Sequence, residues 1–256
     1  VRLLSFDTAG THSLSVAIVE NGEVLAEANL EGDTTAKADR QESVSLLLPT
    51  IDSLTRQAGL KKEDFGAIVV GIGPGGFTGV RVAVVTGRTL AQALKLPLVG
   101  INSLEVASYG QPSAEGAGVI KAASKTHCFM ARYERASLDP DLYGDLYHLK
   151  VLRAPGYMPF EDFYCELNQD EASHWYADPG VVSHFEQYYP RIKAALPVNN
   201  VAACQAKIAH IRLSLKAVEG EDLLVNFPYR SVQPLYLRGA SVTLKKGDVI
   251  ERVEAH

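Results

Sequence analysis

Cysteine is scarce in this chain of 256 residues, with only Cys128, Cys165 and Cys204. None forms a CxxC pair for a metal or redox couple, and an odd number closes no complete disulfide framework, so the usage points to a reducing compartment. A basic surplus is lacking as well. The formal net charge is −5, and neither half is basic: 9 Lys/Arg face 11 Asp/Glu through Leu104, and 16 face 19 beyond it. Autonomous nucleic-acid binding, which needs a Lys/Arg excess on one face, is thereby disfavoured. Long apolar runs are absent too. The longest uncharged stretch, Phe65 to Val80, is broken by glycines and Pro74 and stops at Arg81, whereas a membrane helix needs about 20 mostly apolar residues. Asp7 interrupts the opening apolar run where a secretion signal would continue. The expected location is the cytoplasm, with no membrane partner.

Several chemical signatures are missing. The seven histidines include no i, i+4 pair that a helix would place on one face, so no metal site is expected. No GxSxG elbow is present, and Cys128 beside His127 is a neighbour in sequence only. What remains is an ordinary globular composition, 46 % apolar and 21 % charged, in a chain long enough to bury a sizeable core.

The apolar run Leu3 to Phe6 ends in Asp7, Thr8, Ala9 and Gly10, as a buried strand ending in a loop would. Leu14 to Val19 and Val24 to Leu30 flank Asn21-Gly22, a hairpin signal, because both residues tolerate the positive φ of a type I′ turn. Three antiparallel strands are therefore expected. From Asp39 to Ala58, Val44, Leu47, Leu48, Ile51, Leu54 and Ala58 recur at steps of three and four, one face of a helix with a bend expected at Pro49. Leu46 lies off that stripe and serves either core packing or a partner. The strand Ala67 to Ile72 leads into the loop GPGGFTG and a helix from about Thr78 to Leu94. Apolar almost all round, that helix is expected to be largely buried. A strand at Pro97 to Ile101 follows. A meander followed by alternating helices and strands implies an α/β fold, a mixed sheet with helices on its faces.

The second half is less regular. Gly118 to Ser124 and Cys128 to Glu134 read as paired strands, and Val201 to Ala217 as a helix. Asp139 to Tyr189 has no sustained period and stays unassigned.

Two places could carry chemistry. Gly73, Gly75, Gly76 and Gly79 can bring backbone N–H groups close to an anion, Thr78 can cap the following helix, and Arg81 sits in its first turn. The same glycines also suit a tight strand-to-helix crossover, and the loop is no Walker A sequence. In folds that hold nucleotide between two lobes, a carboxylate placed like Asp7, with Thr8 beside it, can organise Mg²⁺ through water. A capped turn is the alternative.

The segments LLSFDTA, DRQESVSLLLP, GIGPGGFTGVR and LPLVGINSLE, with PLYLR at Pro234 to Arg238, resemble the TsaB (YeaZ) family of bacterial tRNA threonylcarbamoyladenosine synthesis. The resemblance covers the first ~105 residues in register. It implies the actin-like ATPase fold of the sugar kinase and heat-shock superfamily, with an N-terminal lobe at 1–104 and a C-terminal lobe at 105–256 whose last helix returns to the first lobe. It also implies a noncatalytic scaffold or activator that binds the catalytic subunit TsaD and the ATPase TsaE, self-associates when alone, and meets tRNA only through the complex. No cofactor is then required by this chain, with ATP or ADP and Mg²⁺ belonging to the complex. The family's interface helices correspond here to Asp39–Ala58 and Thr78–Leu94, naming Arg40, Val44, Leu46, Leu47, Ile51, Arg81, Val84 and Arg88. This sequence departs from the family pattern at Glu42, Gly76 and Ala122-Ala123-Ser124. A small-molecule kinase of the same superfamily is the competing reading, but such kinases need further glycine loops, and no glycine cluster follows Leu104.

Overall fold

The computed structural model describes residues 1–10, 13–31, 39–113, 116–167, 174–186 and 192–238. The side chains of residues 39–44, including Arg40, Glu42 and Val44, lie outside that description.

Strands β1 (Arg2–Asp7), β2 (Ser13–Glu20) and β3 (Glu23–Glu31) form the opening meander. Asn21 and Gly22 turn the β2–β3 hairpin with φ of 52° and 87°, the positive values a primed turn demands. Helix α1 (Asp39–Gln57) runs through Pro49, and β4 (Ala67–Gly71), α2 (Phe77–Leu94) and β5 (Leu98–Ile101) complete the lobe. The sheet order is β3-β2-β1-β4-β5, antiparallel on the meander side and parallel from β1 to β5.

After α3 (Ser103–Tyr109), the plan repeats. Strands β6 (Gly116–Ala122), β7 (His127–Ser137) and, past the short α4 (Pro140–Tyr143), β8 (Tyr147–Pro159) form a second meander. Then come α5 (Phe160–Leu167), β9 (Trp175–Ala177), α6 (Pro179–Glu186) and β10 (Ile192–Ala194). The order β10-β9-β6-β7-β8 is the first sheet's order with each strand replaced by its counterpart, read from the other edge. Two lobes of one topology, each a mixed sheet flanked by helices, make this the actin-like ATPase fold that the resemblance implies. Helix α7 (Val201–Val218) and the short α8 (Leu223–Asn226) are the last regular elements among the described residues. Among the described residues, no helix is long and apolar enough to cross a membrane.

Each lobe lends a helix to the other. Although α3 follows β5, its Leu104 packs with Val119, Ala131 and Tyr133 of the second sheet. Tyr133 donates its hydroxyl to the Oδ1 of Asn102, the residue that caps α3. Conversely α7 follows β10 but lays Ala202, Ala206, Ala209 and Leu213 on one face of the first sheet, against Leu3, Ala17 and Val69. Its cap Asn200 accepts from Ser15 Oγ on β2, and that hydroxyl oxygen in turn accepts from Ala202 N. Small residues along α7 let it approach the sheet closely, and an apolar stripe on each swapped helix ties the lobes together.

The opposite face of the first sheet is covered by α1 and α2, through Leu47, Ile51, Leu54, Ala83 and Ala91 against Phe6, Ile18 and Ile68. Here one expectation fails. Helix α2 is not largely buried: Phe77 is 42 % and Val85 63 % exposed, so a stripe at four-residue steps, Phe77, Arg81 and Val85, faces solvent. The sheet covers one side of the helix, and the other side is left to solvent among the described residues.

Candidate functional site

Asp7 ends β1 at the floor of a cleft of about 620 Å³ between the lobes. From the first lobe the walls come from Ala9, the Pro74–Gly76 loop and the beginning of α3, and from the second lobe from Lys121, Ala122, Ala123, Phe129 and Asp178. Asp7 is 4 % exposed and both of its carboxylate oxygens are engaged: Oδ1 accepts from Ala9 N at 2.7 Å, and Oδ2 from Gln205 Nε2 at 2.6 Å. Burial pushes its pKa above the ordinary aspartate value, although the Ala9 and Gln205 hydrogen bonds and the Lys121 charge act the other way. Gly71 makes room for this pair, because a Cβ there would collide with the Asp7 carboxylate and Gln205. Thr8 is also committed, its hydroxyl donating to Gly79 O at 2.7 Å.

The glycine loop is spent on packing. A Cβ at Gly75 would strike the Ala9 carbonyl and one at Gly79 the Thr8 carbonyl, so these glycines let α2 begin against the end of β1. Gly76 N donates to Ala9 O at 2.8 Å. Gly73 holds φ at +85°, a turn that suits glycine. Thr78 does not cap α2: the cap position is Gly76, which has no side chain to offer, and Thr78 falls inside the helix. Arg81, expected near an anion, instead lies 3.9 Å over the Phe77 ring and donates Nε to Tyr236 Oη at 2.8 Å.

Across the cleft, β6 ends at the uncharged Ala122, with Ala123 just beyond it. Asp178, before α6, has its pKa raised by burial and opposed by Lys121. Asp7 is therefore not free to hold a Mg²⁺-nucleotide directly: both of its oxygens already accept hydrogen bonds within the chain, and the charges that face it across the cleft are those of Lys121 and Asp178. Among the described residues, no three His, Cys, Asp or Glu side chains cluster as metal ligands would.

The residues named for a partner interface separate into two groups. Leu47 and Val84 are 1 % exposed and belong to the core, which corrects their expected place on a docking face. Ile51, 9 % exposed, packs in the same core as Leu47. Leu46 (43 %) and Leu48 (56 %) on α1 face outward, as do Arg81 and Val85 on α2, while Arg88 is half-buried. The periodicity puts Leu48 on the core stripe, whereas the structure turns it to solvent. Gln205 is the functional residue that sequence reasoning misses, although a glutamine among Ala202, Ala206 and Ala209 on a buried stripe is a signal for it.

Residues 34–155 match the family model described as TsaD: tRNA N6-adenosine threonylcarbamoyltransferase. The chain is 30 % identical over 138 residues to "tRNA threonylcarbamoyladenosine biosynthesis protein TsaB" of Escherichia coli (strain K12), covering 53 % of this chain and 56 % of that protein. It is 31 % identical over 107 residues to the protein of the same description from Bacillus subtilis (strain 168), covering 41 % of this chain and 42 % of that protein. The chain thus matches about half the length of these curated relatives. In fold it is similar to the solved structure "YeaZ from Pseudomonas aeruginosa", with a TM-score of 0.65 at 21 % identity over 92 % of this chain and 99 % of that one. By the sequence of its N-terminal half the chain is similar to TsaB proteins, on a fold that nearly its whole length shares with the YeaZ structure.

Proposed function

We propose that this chain is a noncatalytic partner subunit in tRNA threonylcarbamoyladenosine biosynthesis, which docks a TsaD-type transferase through the exposed faces of α1 and α2. The observation that carries this reading is the commitment of Asp7. Where a metal-nucleotide site needs a free carboxylate, this chain has a buried one held by Ala9 N and Gln205. The docking role has separate support in the exposed side chains of Leu46 and Leu48, which flank buried Leu47 on α1, and in the outward stripe Phe77, Arg81 and Val85 on α2, since both helices cover the same face of the first sheet. Apolar side chains flanking an arginine are the usual composition of an interface centre.

On this reading TsaE joins the complex, tRNA is held by the partner rather than by this acidic chain, and ATP or ADP with Mg²⁺ is bound in the complex. Two copies pair through the same helices when the partner is scarce. A pull-down from a native lysate with the tagged chain tests the proposal. TsaD as dominant partner supports it. A metabolite-dependent ATPase activity of the chain without a partner would instead favour a small-molecule kinase.

A further inference from the structure

The segment after α8 crosses from one lobe to the other. Leu98 N donates to Phe227 O at 3.0 Å, which starts the segment beside β5. Val232 packs with Ile72, Ala9, Val80 and Val84, and Leu235 N donates to Ile72 O at 2.7 Å, just past the end of β4. These anchors belong to the first lobe. Three residues later Arg238 Nη1 donates to Ala123 O at 3.1 Å, at the end of β6, and Leu237 packs into the second lobe's cluster with Phe129 and Tyr176. Arg238 also lines the cleft.

Three peptide units span roughly 10 Å at full extension. While both anchors hold, these three units and the length of the Arg238 side chain limit how far this rim of the cleft can open. Between these anchors the segment is also held by Tyr236. Its ring centroid lies 5.2 Å from that of Phe77, and its hydroxyl accepts from Arg81, whose guanidinium covers the Phe77 ring. All three latch residues stand on or against the solvent-facing stripe of α2, with Tyr236 47 % exposed.

We propose that residues 235–238 are an interlobe strap, latched by the Tyr236–Arg81–Phe77 stack, so that the width of the cleft is controlled from the exposed face of α2. A stack arranged over one helix turn is a local contact that can be undone without unfolding either lobe, because each lobe keeps its own core. The strap needs no partner. That a docking partner would work the latch rests on the function proposed above, and the experiment here is made on the chain alone.

The test is single-molecule fluorescence transfer between dyes at Gln92→Cys on α2 and Lys150→Cys on β8, both exposed positions, in a Cys165→Ser background. Burial pushes the Cys128 and Cys204 thiols up to about 12, which keeps them out of the labelling reaction at neutral pH. Picomolar working concentrations exclude self-association. Tyr236→Ala removes the latch and Arg238→Ala the second-lobe anchor, and both side chains lie at the surface, so thermal unfolding is expected to leave the lobes intact. The expected result is a shift and broadening of the transfer-efficiency distribution in both variants, each residue freed adding about 3.3–3.6 Å of reach. Folded variants that both keep the wild-type distribution would overturn the proposal. Should one variant fail to fold, the other alone decides.

Discussion

Gln205, on a helix contributed by the second half of the chain, donates its Nε2 to the Oδ2 of Asp7 at the end of the first strand, across 2.6 Å. The bond spans 198 residues of sequence, and a third residue, Gly71, supplies the space for it. A strand-end carboxylate has become a fixing point for α7. The Gln205 carbonyl oxygen Oε1 is buried without a hydrogen-bond partner, a cost of the arrangement.

Asp7→Asn is expected to stabilise the chain at neutral pH. After a flip of the Gln205 amide, the introduced amide can donate to Gln205 Oε1 while its own carbonyl still accepts from Ala9 N. One buried amide atom of Gln205 lacks a partner either way, so the gain comes from burying no charge. Because burial raises the Asp7 pKa above 3.8, the folded wild type binds more protons than the unfolded chain between 3.8 and the raised value. Its stability consequently falls as pH rises through that window, and the asparagine variant has no such slope. Thermal unfolding is expected to show a gain of about 1 kcal/mol at pH 7, or roughly 2–4 °C, that shrinks on acidification. A variant less stable than wild type at pH 7, or a gain independent of pH, would contradict this account.

Leu46 and Leu47 are sequence neighbours with opposite surroundings, 43 % and 1 % exposed. Leu47→Glu would bury an unpaired carboxylate among Phe6, Ile18 and Leu54, and is expected to abolish folding. Leu46→Glu should fold with a near-wild-type unfolding midpoint. If the α1 face docks TsaD, the same change weakens binding by about 2 kcal/mol, some thirtyfold in Kd, as the carboxylate must be desolvated at the contact. Titration calorimetry against TsaD measures it, and unchanged affinity in a folded Leu46→Glu protein would place the interface elsewhere.

Gly79→Ala separates packing from ligand binding in the glycine loop. Its new Cβ would collide with the carbonyl of Thr8, a residue that also donates its hydroxyl to Gly79 O. Backbone yields less readily than a side-chain tip, so a loss of about 1–3 kcal/mol is expected, the range of overpacking elsewhere. Urea titration of the isolated chain, with no nucleotide present, is sufficient. A loop built only to cradle an anion would show wild-type stability there.

How readily the sequence can be read varies with the regularity of each environment. Strands β1 and β4 lie beneath helices on both faces and read as continuous apolar runs, while Asn21-Gly22 declares its turn by composition. In the second lobe β8 is half-exposed along most of its length, with no alternation to detect, and β9 and β10 have three residues each. Helix α3 is only seven residues long, and its burial comes from a sheet that follows it in sequence. The glycine loop is visible, but its purpose is not: whether Gly75 and Gly79 face a ligand or the Ala9 and Thr8 carbonyls depends on where β1 ends in space. Val85 and Val84 differ in nothing but the turn of the helix, so composition alone places the outer stripe of α2 in the core.

The charged contact between the swapped helices gives the sharpest energetic test. Glu105 of α3 is 3 % exposed and accepts from Arg212 Nη2 of α7 at 2.5 Å. Burial raises the Glu105 pKa and the Arg212 charge pulls it back. Arg212→Met leaves the carboxylate buried without its cation, and a loss of roughly 3–5 kcal/mol is expected. With Arg212 gone the folded-state pKa of Glu105 moves further up, so the variant takes up a proton on folding over a wider range. Its deficit should then be largest at pH 7 and should narrow as pH falls toward the ordinary glutamate value near 4.5. Adding Glu105→Gln to Arg212→Met removes the charge altogether and should recover part of the loss while erasing its pH dependence. Equilibrium unfolding of the single and double variants at several pH values checks both points. A pH-independent deficit in Arg212→Met would mean that lost packing of the arginine stem across the α3–α7 contact, and not its charge, holds the two helices together.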